Sequence, residues 1–128
     1  MNPKMYLRNH RLLMNRRLMW NCRKEHHIKE DKILTYLDYQ KKQFTEKEIT
    51  PMDWAKCLAL LTKIDLDEFV KLEAPSGLRH TDKVQHAELT IKINNTTFSS
   101  RSFDHENPPN DIKSLVNHLL YLSLEKDL

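Results

Sequence analysis

The sequence predicts a single α+β domain in which an antiparallel sheet of two hairpins carries helices on one face, in the order hairpin, helix, hairpin, helix. Three observations predict this class. The length of 128 residues suits one domain. Residues 87–93 alternate apolar and polar side chains at the strand period. Two segments with helical periodicity begin with Thr-Pro and Asn-Pro-Pro, which are helix-start signals.

Positive charge is concentrated at the N-terminus. Residues 1–24 contain seven Lys or Arg and no acid, whereas the remaining 104 residues carry 14 basic and 18 acidic groups. Apolar pairs recur there every seven residues, but they form no continuous helical face. We therefore predict that residues 1–30 form a basic N-terminal arm, partly helical or disordered, outside an α+β domain of residues 31–128. Six of its residues are candidates for contact with a polyanion: Arg8, Arg11, Arg16, Arg17, Arg23 and Lys24.

Residues 32–50 permit two interpretations. A helix would align Ile33, Leu37 and Phe44 only loosely. The content of Ile, Thr, Tyr and Phe, with the polar break QKKQ, favours two strands. We predict a hairpin here, with a helix as the alternative.

The following segment has the signals of a capped helix from about residue 51 to 64. Thr50 supplies an N-cap hydroxyl, Pro51 suits the first helical position, and Asp53 complements the positive end of the dipole. Asp65 is then expected to cap a second, short helix that ends near Leu72. The predicted inward residues of the first helix are Trp54, Cys57, Leu58, Leu61 and Ile64.

A second hairpin is predicted over residues 87–101. Asn94 and Asn95 suit a two-residue turn in which asparagine replaces glycine. This turn sets the register of four cross-strand pairs: Ile91 with Phe98, Thr90 with Ser99, Lys92 with Thr97 and Glu88 with Arg101.

The last helix is predicted to follow the sequence Asn-Pro-Pro. Asn107 is expected to act as the cap, with Pro108 and Pro109 at early helical positions. Its apolar stripe should pack on the apolar face of the second hairpin. The stripe consists of Ile112, Leu115, Val116, Leu119 and Leu122.

Extending the hairpin register outward brings His86, Asp104 and His105 together as the best-placed candidates for a metal site. No histidine spacing typical of a metal motif accompanies them, so we predict no metal site and no catalytic residues. The single glycine, Gly77, excludes both a P-loop and a dinucleotide turn. We therefore predict that the protein is not an enzyme and has no cofactor.

The two cysteines, Cys22 and Cys57, form no motif for a disulfide framework or zinc, so reduced thiols in a cytoplasmic protein are expected. No apolar run is long enough for a membrane span.

The order of elements over residues 50–120 resembles that of emfourin-like proteins, small bacterial inhibitors of thermolysin-type metalloproteases. The resemblance lies in ITPMDWAKCLALLTKIDLDEFVKLEAPSG, then Asp82, HAELTIKINNTTFSSRSFD and PPNDIKSLVNHLL. It implies an α+β fold, a bacterial origin and a protein partner. We predict a non-enzymatic protein-binding module, with an inhibitor or immunity-type partner as its specific form. The alternative is binding of nucleic acid or an anionic surface through the basic arm.

Overall fold

The computed structural model describes residues 3–12, 21–37, 44–81, 85–105 and 107–123. Most of them belong to an antiparallel sheet of seven strands or to three helices. The strand order is β4-β3-β2-β1-β5-β6, and β7 also pairs with β5. The strands are β1 (Lys4–Leu12), β2 (Asn21–Ile28), β3 (Lys32–Tyr36), β4 (Phe44–Glu48), β5 (His86–Ile93), β6 (Thr96–Ser99) and β7 (Phe103–Asp104).

The class is α+β, as the sequence predicts, but the sheet is larger than two hairpins. The segment expected to be an arm supplies β1 and β2, which lie between the two predicted hairpins. Met5 and Leu7 of β1 are 0% and 2% exposed, and Ile28 of β2 is 0% exposed. This burial corrects the predicted boundary at residue 30, because the described residues before it belong to the sheet and its core. The apolar residues of β1 therefore follow the two-residue period of a strand and not the period of a helix.

β3 and β4 pair antiparallel, with Ile33 opposite Lys47, so residues 32–50 contain the two predicted strands and no helix among the residues described. In the second hairpin the turn falls at Asn94, whose φ is 55°, and Asn95. Three of the four predicted cross-strand pairs are present there: Ile91 with Phe98, Thr90 with Ser99 and Lys92 with Thr97.

The fourth predicted pair is different. Glu88 lies opposite Arg8 of β1, and the Arg8 Nη1 atom is 3.4 Å from the Glu88 carboxylate. β6 ends at Ser99, before Arg101 is reached. The prediction of a Glu88–Arg101 pair is therefore wrong, because the pairing of β5 with β6 stops at Thr90 and Ser99, before Glu88 and Arg101 are reached.

The first two helices have the predicted caps. α1 (Pro51–Leu61) begins with a capping box between Thr50 and Asp53. α2 (Leu66–Phe69) is capped by the Asp65 carboxylate and is shorter than predicted. The buried residues of α1 are Trp54, Cys57 and Leu61, as the helical period indicates.

α3 (Asn110–Leu122) begins three residues after the predicted cap. Asn107 instead forms an isolated bridge with Asp104, and its side-chain amide donates to the Ser76 hydroxyl at 2.7 Å. Pro109 is the cap residue and provides no side-chain hydrogen bond. The predicted capping role of Asn107 is therefore wrong, since a tertiary contact holds its side chain away from the helix.

The core lies between the helices and one face of the sheet. The predicted stripe of α3 is buried, and His118 on the same helix contacts the Asp53 carbonyl oxygen of α1 at 3.3 Å. Lys47 of β4 donates to the Leu122 carbonyl at 2.9 Å, which places a cation at the negative end of α3. The central strands contribute Met5, Leu7, Ile28, Ile33, Leu89 and Ile91 to this core.

None of the helices described has both the length and the apolar character needed to cross a lipid bilayer.

The burial of β1 predicts that Met5→Ala lowers the free energy of unfolding by about 2–5 kcal/mol, because the substitution leaves a cavity at the centre of the sheet. Met52, which is 83% exposed, offers a matched control, and Met52→Ala should change stability by less than about 0.5 kcal/mol. Urea denaturation of both variants measures the difference. Equal stability of the two variants would place β1 outside the core.

Candidate binding face

The helices cover one face of the sheet, and the opposite face is the candidate functional surface. Along β1 the buried residues Met5 and Leu7 alternate with Tyr6 and Arg8, which are partly exposed. Successive residues of a strand point to opposite faces, so Tyr6 and Arg8 lie on the side away from the core. We call this side the open face.

An aromatic row crosses four strands of the open face. It consists of Tyr6 of β1, His27 of β2, Tyr36 of β3 and Phe44 of β4. Consecutive ring centroids are 4.8, 4.7 and 5.5 Å apart, with interplanar angles of 80°, 57° and 41°. These distances and tilts are those of favourable edge-to-face and inclined contacts, so each ring restricts the orientation of the next.

The outer end of the row presents apolar surface to solvent. Phe44 is 52% exposed, and Leu37, which follows β3, is 45% exposed. Among the strands that the structure describes, β4 lies at the edge of the sheet, and all five of its residues are exposed. Aromatic surface beside an unpaired strand edge is a common feature of surfaces that bind another chain.

A buried carboxylate fixes the middle of the open face. Glu25 is 4% exposed, and its Oε2 atom accepts a hydrogen bond from His27 Nε2 at 2.7 Å. The Arg8 Nε atom lies 3.4 Å from Glu25 Oε1, while Arg8 Nη1 reaches Glu88. A carboxylate removed from water needs such partners to offset its desolvation. This network holds the His27 ring in the aromatic row.

A groove of about 450 Å³ runs over the open face between β2 and β6. It is lined by Lys4, Tyr6, Arg8, Glu25, His27, Lys29, Thr90, Lys92 and Thr97.

The predicted polyanion contacts that fall within the described residues lie in strands of the sheet and not in a separate arm. Arg8 is engaged with two glutamates on the open face, and Lys24 lies in β2 with a polar or ionic contact of its own. Arg11 and Arg23 lie in β1 and β2, but their side chains are outside the described part of the structure. Arg16 and Arg17 lie outside the described residues altogether.

The three candidates for a metal site are brought near one another, but their side chains have other partners. His86 lies opposite Asp104 across β5 and β7, which makes them neighbours as predicted, although the extended hairpin register would place His86 opposite Phe103. His105 Nδ1 is 3.4 Å from the side-chain amide of Asn9. Among the residues described, no group of three His, Cys, Asp or Glu side chains could hold a metal ion.

Asp104 organises the loop before β5. Its carboxylate accepts hydrogen bonds from the Ser76 hydroxyl and from the backbone amides of Leu78 and Arg79 at 2.9 Å each. The Arg79 guanidinium adds an ion pair at 3.0 Å. Burial by itself would raise the pKa of Asp104, but these hydrogen bonds together hold it well below its ordinary value of 3.8. The arrangement is that of a structural anchor, since the donors of residues 76–79 occupy both carboxylate oxygens.

Cys57 is fully buried in the core, and burial raises the pKa of its thiol to about 12. A thiol with such a pKa is a poor nucleophile at neutral pH. Cys57 therefore functions as a packing residue.

The sequence did not indicate the aromatic row, because its four members come from four strands and the first two strands were not predicted. Tyr6 and His27 lie within the segment predicted to be an arm, and that prediction places no neighbouring strand beside them. Tyr36 and Phe44 lie within the predicted hairpin, but the sequence predicts no strand beside that hairpin to carry further aromatic rings.

No protein-family model matches this chain, and a comparison with curated proteins found no match either.

The Asp104 anchor predicts a pH-dependent stability. Asp104→Asn leaves the Arg79 charge buried without its partner and should lower the free energy of unfolding by about 3 kcal/mol at neutral pH. The folded-state pKa of Asp104 is lowered, so its stabilisation is complete above the unfolded pKa and is lost as the pH falls below about 4. The difference in the free energy of unfolding between the wild type and the Asp104→Asn variant should therefore become smaller in acid.

Chemical denaturation at several pH values measures this difference. Asp31→Asn is the control, because Asp31 is an exposed aspartate. A difference that stays constant down to pH 2, or one that the control reproduces, would rule out the proposed linkage.

Proposed function

We propose that the protein is a non-enzymatic binding module that recognises another protein through the open face of its sheet. The observation that carries the proposal is the aromatic row, which lies across four strands and ends in the exposed ring of Phe44. Large aromatic side chains supply much of the binding energy of protein interfaces.

Preorganisation supports this role. His27 is held by the Glu25 carboxylate, and each ring of the row packs on the next. Ordering a side chain on binding costs about 0.5–1.5 kcal/mol when the side chain is free to rotate. Rings that are already restrained lose less freedom, so the row can bind a complementary surface at a smaller entropic cost.

The nucleic-acid alternative receives less support from the open face. It required a free basic arm, whereas Lys4–Leu12 and Asn21–Ile28 are paired strands. Base stacking needs accessible ring faces, but the rings of the row are inclined against one another.

The resemblance to emfourin-like inhibitors supplies one specific partner class. The corresponding form of the proposal is a protein, bacterial and cytoplasmic, that inhibits a thermolysin-type metalloprotease. Hydrolysis of a peptide substrate by thermolysin, measured with and without equimolar protein, tests it directly. Stoichiometric inhibition identifies the partner class, and unchanged hydrolysis at a large excess rejects the inhibitor form.

The open-face proposal predicts that replacing both Tyr36 and Phe44 with alanine weakens partner binding at least about tenfold, since loss of an interface aromatic costs more than about 1 kcal/mol. The matched control replaces Met52 and Tyr121, two exposed side chains on the helical side, with alanine. Affinity capture from the source cells identifies the partner, and calorimetry with the purified partner gives the Kd of each variant.

Thermal unfolding of both variants establishes that they fold. Equal Kd values for wild type and the Tyr36/Phe44 variant would reject the open face as the contact surface. A loss of binding in the Met52/Tyr121 control alone would assign the interface to the helices.

A further inference from the structure

The groove on the open face is bordered by a row of lysines that face one another. Lys4 of β1 lies directly opposite Lys92 of β5, and Lys92 lies opposite Thr97 of β6. Lys29 directly follows Ile28, the partner of Met5, so it continues the row on the β2 side. The three lysines and Thr97 all line the groove. We call Lys29, Lys4 and Lys92 the lysine row.

Like charges directly opposite each other in a sheet are destabilising. Among the described residues, none forms an ion pair with a member of the lysine row. Glu25 also lines the groove, but its two carboxylate oxygens are engaged by Arg8 and His27. The lysine row therefore lacks a counter-charge within the described chain.

In the neighbouring part of the open face, by contrast, positive and negative side chains form ion pairs. Four residues along β1 from Lys4, Arg8 lies opposite Glu25 on one side and Glu88 on the other. Both carboxylates are 3.4 Å from the guanidinium. One end of the groove is thus internally neutralised, while the other presents only cations together with the side chains of Tyr6, Thr90 and Thr97.

We propose that the lysine row is a binding site for a carboxylate-rich segment of the partner protein. The inference rests on the proposed function and specifies the chemistry of the partner. Charge complementarity selects an anion, and the hydroxyl groups of Tyr6 and Thr97 provide donors beside it.

The dimensions favour a short acidic peptide over a nucleic acid. Adjacent strands are about 4.8 Å apart, so the lysine row extends about 10 Å across the sheet. Alternate residues of an extended peptide lie about 6.6 Å apart, which lets two carboxylates reach three ammonium groups. A phosphate backbone would need a longer basic track, whereas this row is followed across the sheet by Thr97, which is uncharged.

The test uses the full chain and two synthetic probes, hexaglutamate and hexaglutamine, in an NMR titration at low ionic strength. Hexaglutamate should shift the amide resonances of the lysine row and Thr97, and hexaglutamine should not. Replacing Lys4, Lys29 and Lys92 with glutamine should weaken hexaglutamate binding at least about tenfold. The matched control replaces Lys56, Lys63 and Lys113, three exposed lysines on the helical side, and should change the Kd less than about twofold.

If both triple variants bound hexaglutamate equally weakly, the net charge of the protein would explain the binding, and the proposal would be overturned. Tighter binding of an oligothymidylate of the same length than of hexaglutamate would overturn it in favour of a nucleic acid. Once the partner is known, retained partner binding by the Lys4/Lys29/Lys92 variant, together with loss in the Tyr36/Phe44 variant, rejects the lysine row and leaves the proposed function intact.

A stability measurement tests the charge argument without any ligand. Lys92→Glu places opposite charges across β1 and β5 and should raise the Tm by about 1–4 °C while abolishing hexaglutamate binding. Lys113→Glu on α3 controls for the change in net charge. A Tm for Lys92→Glu that is no higher than that of wild type would refute the charge conflict that motivates the site.

Discussion

The pairing of β1 with β2 on one side and β5 on the other is the interaction on which the rest of the structure depends. It joins the N-terminal strands to the C-terminal half of the chain through residues far apart in sequence, such as Met5 and Ile91. One side of β1 places Met5 and Leu7 in the core, and the other places Tyr6 and Arg8 on the open face. The same hydrogen-bonded register therefore sets both the hydrophobic core and the candidate binding surface.

Two buried carboxylates restrict the structure around that strand. Asp104 collects donors from residues 76–79 and attaches this loop to β7, while Glu25 holds Arg8 and His27 on the open face. Both are protected from water, and both have partners that offset their desolvation. The lysine row differs because its residues are exposed or partly exposed and lie beside like charges. This contrast within one sheet distinguishes charges that stabilise the fold from charges available to a ligand.

Local chemistry predicted the elements whose signals lie within a few residues. The Thr50 capping box, the Asp65 cap, the Asn94 turn and the buried stripe of α3 were each expected, because hydrogen bonds and periodicity inside one segment specify them. The errors arose where a distant segment supplied the partner. Asn107 is a good cap by its chemistry, yet Ser76 binds its side chain.

The sequence by itself determined the α+β class, the starts of the first two helices and three cross-strand pairs of the second hairpin. Only the tertiary structure decided that residues 4–12 and 21–28 are central strands, that Arg8 and not Arg101 faces Glu88, and that four aromatic rings form one row. The physical reason is that a strand gains its hydrogen bonds and its buried face from neighbours that can be anywhere in the chain. A helix cap or a tight turn finds its partners within its own few residues, so its sequence is sufficient to reveal it.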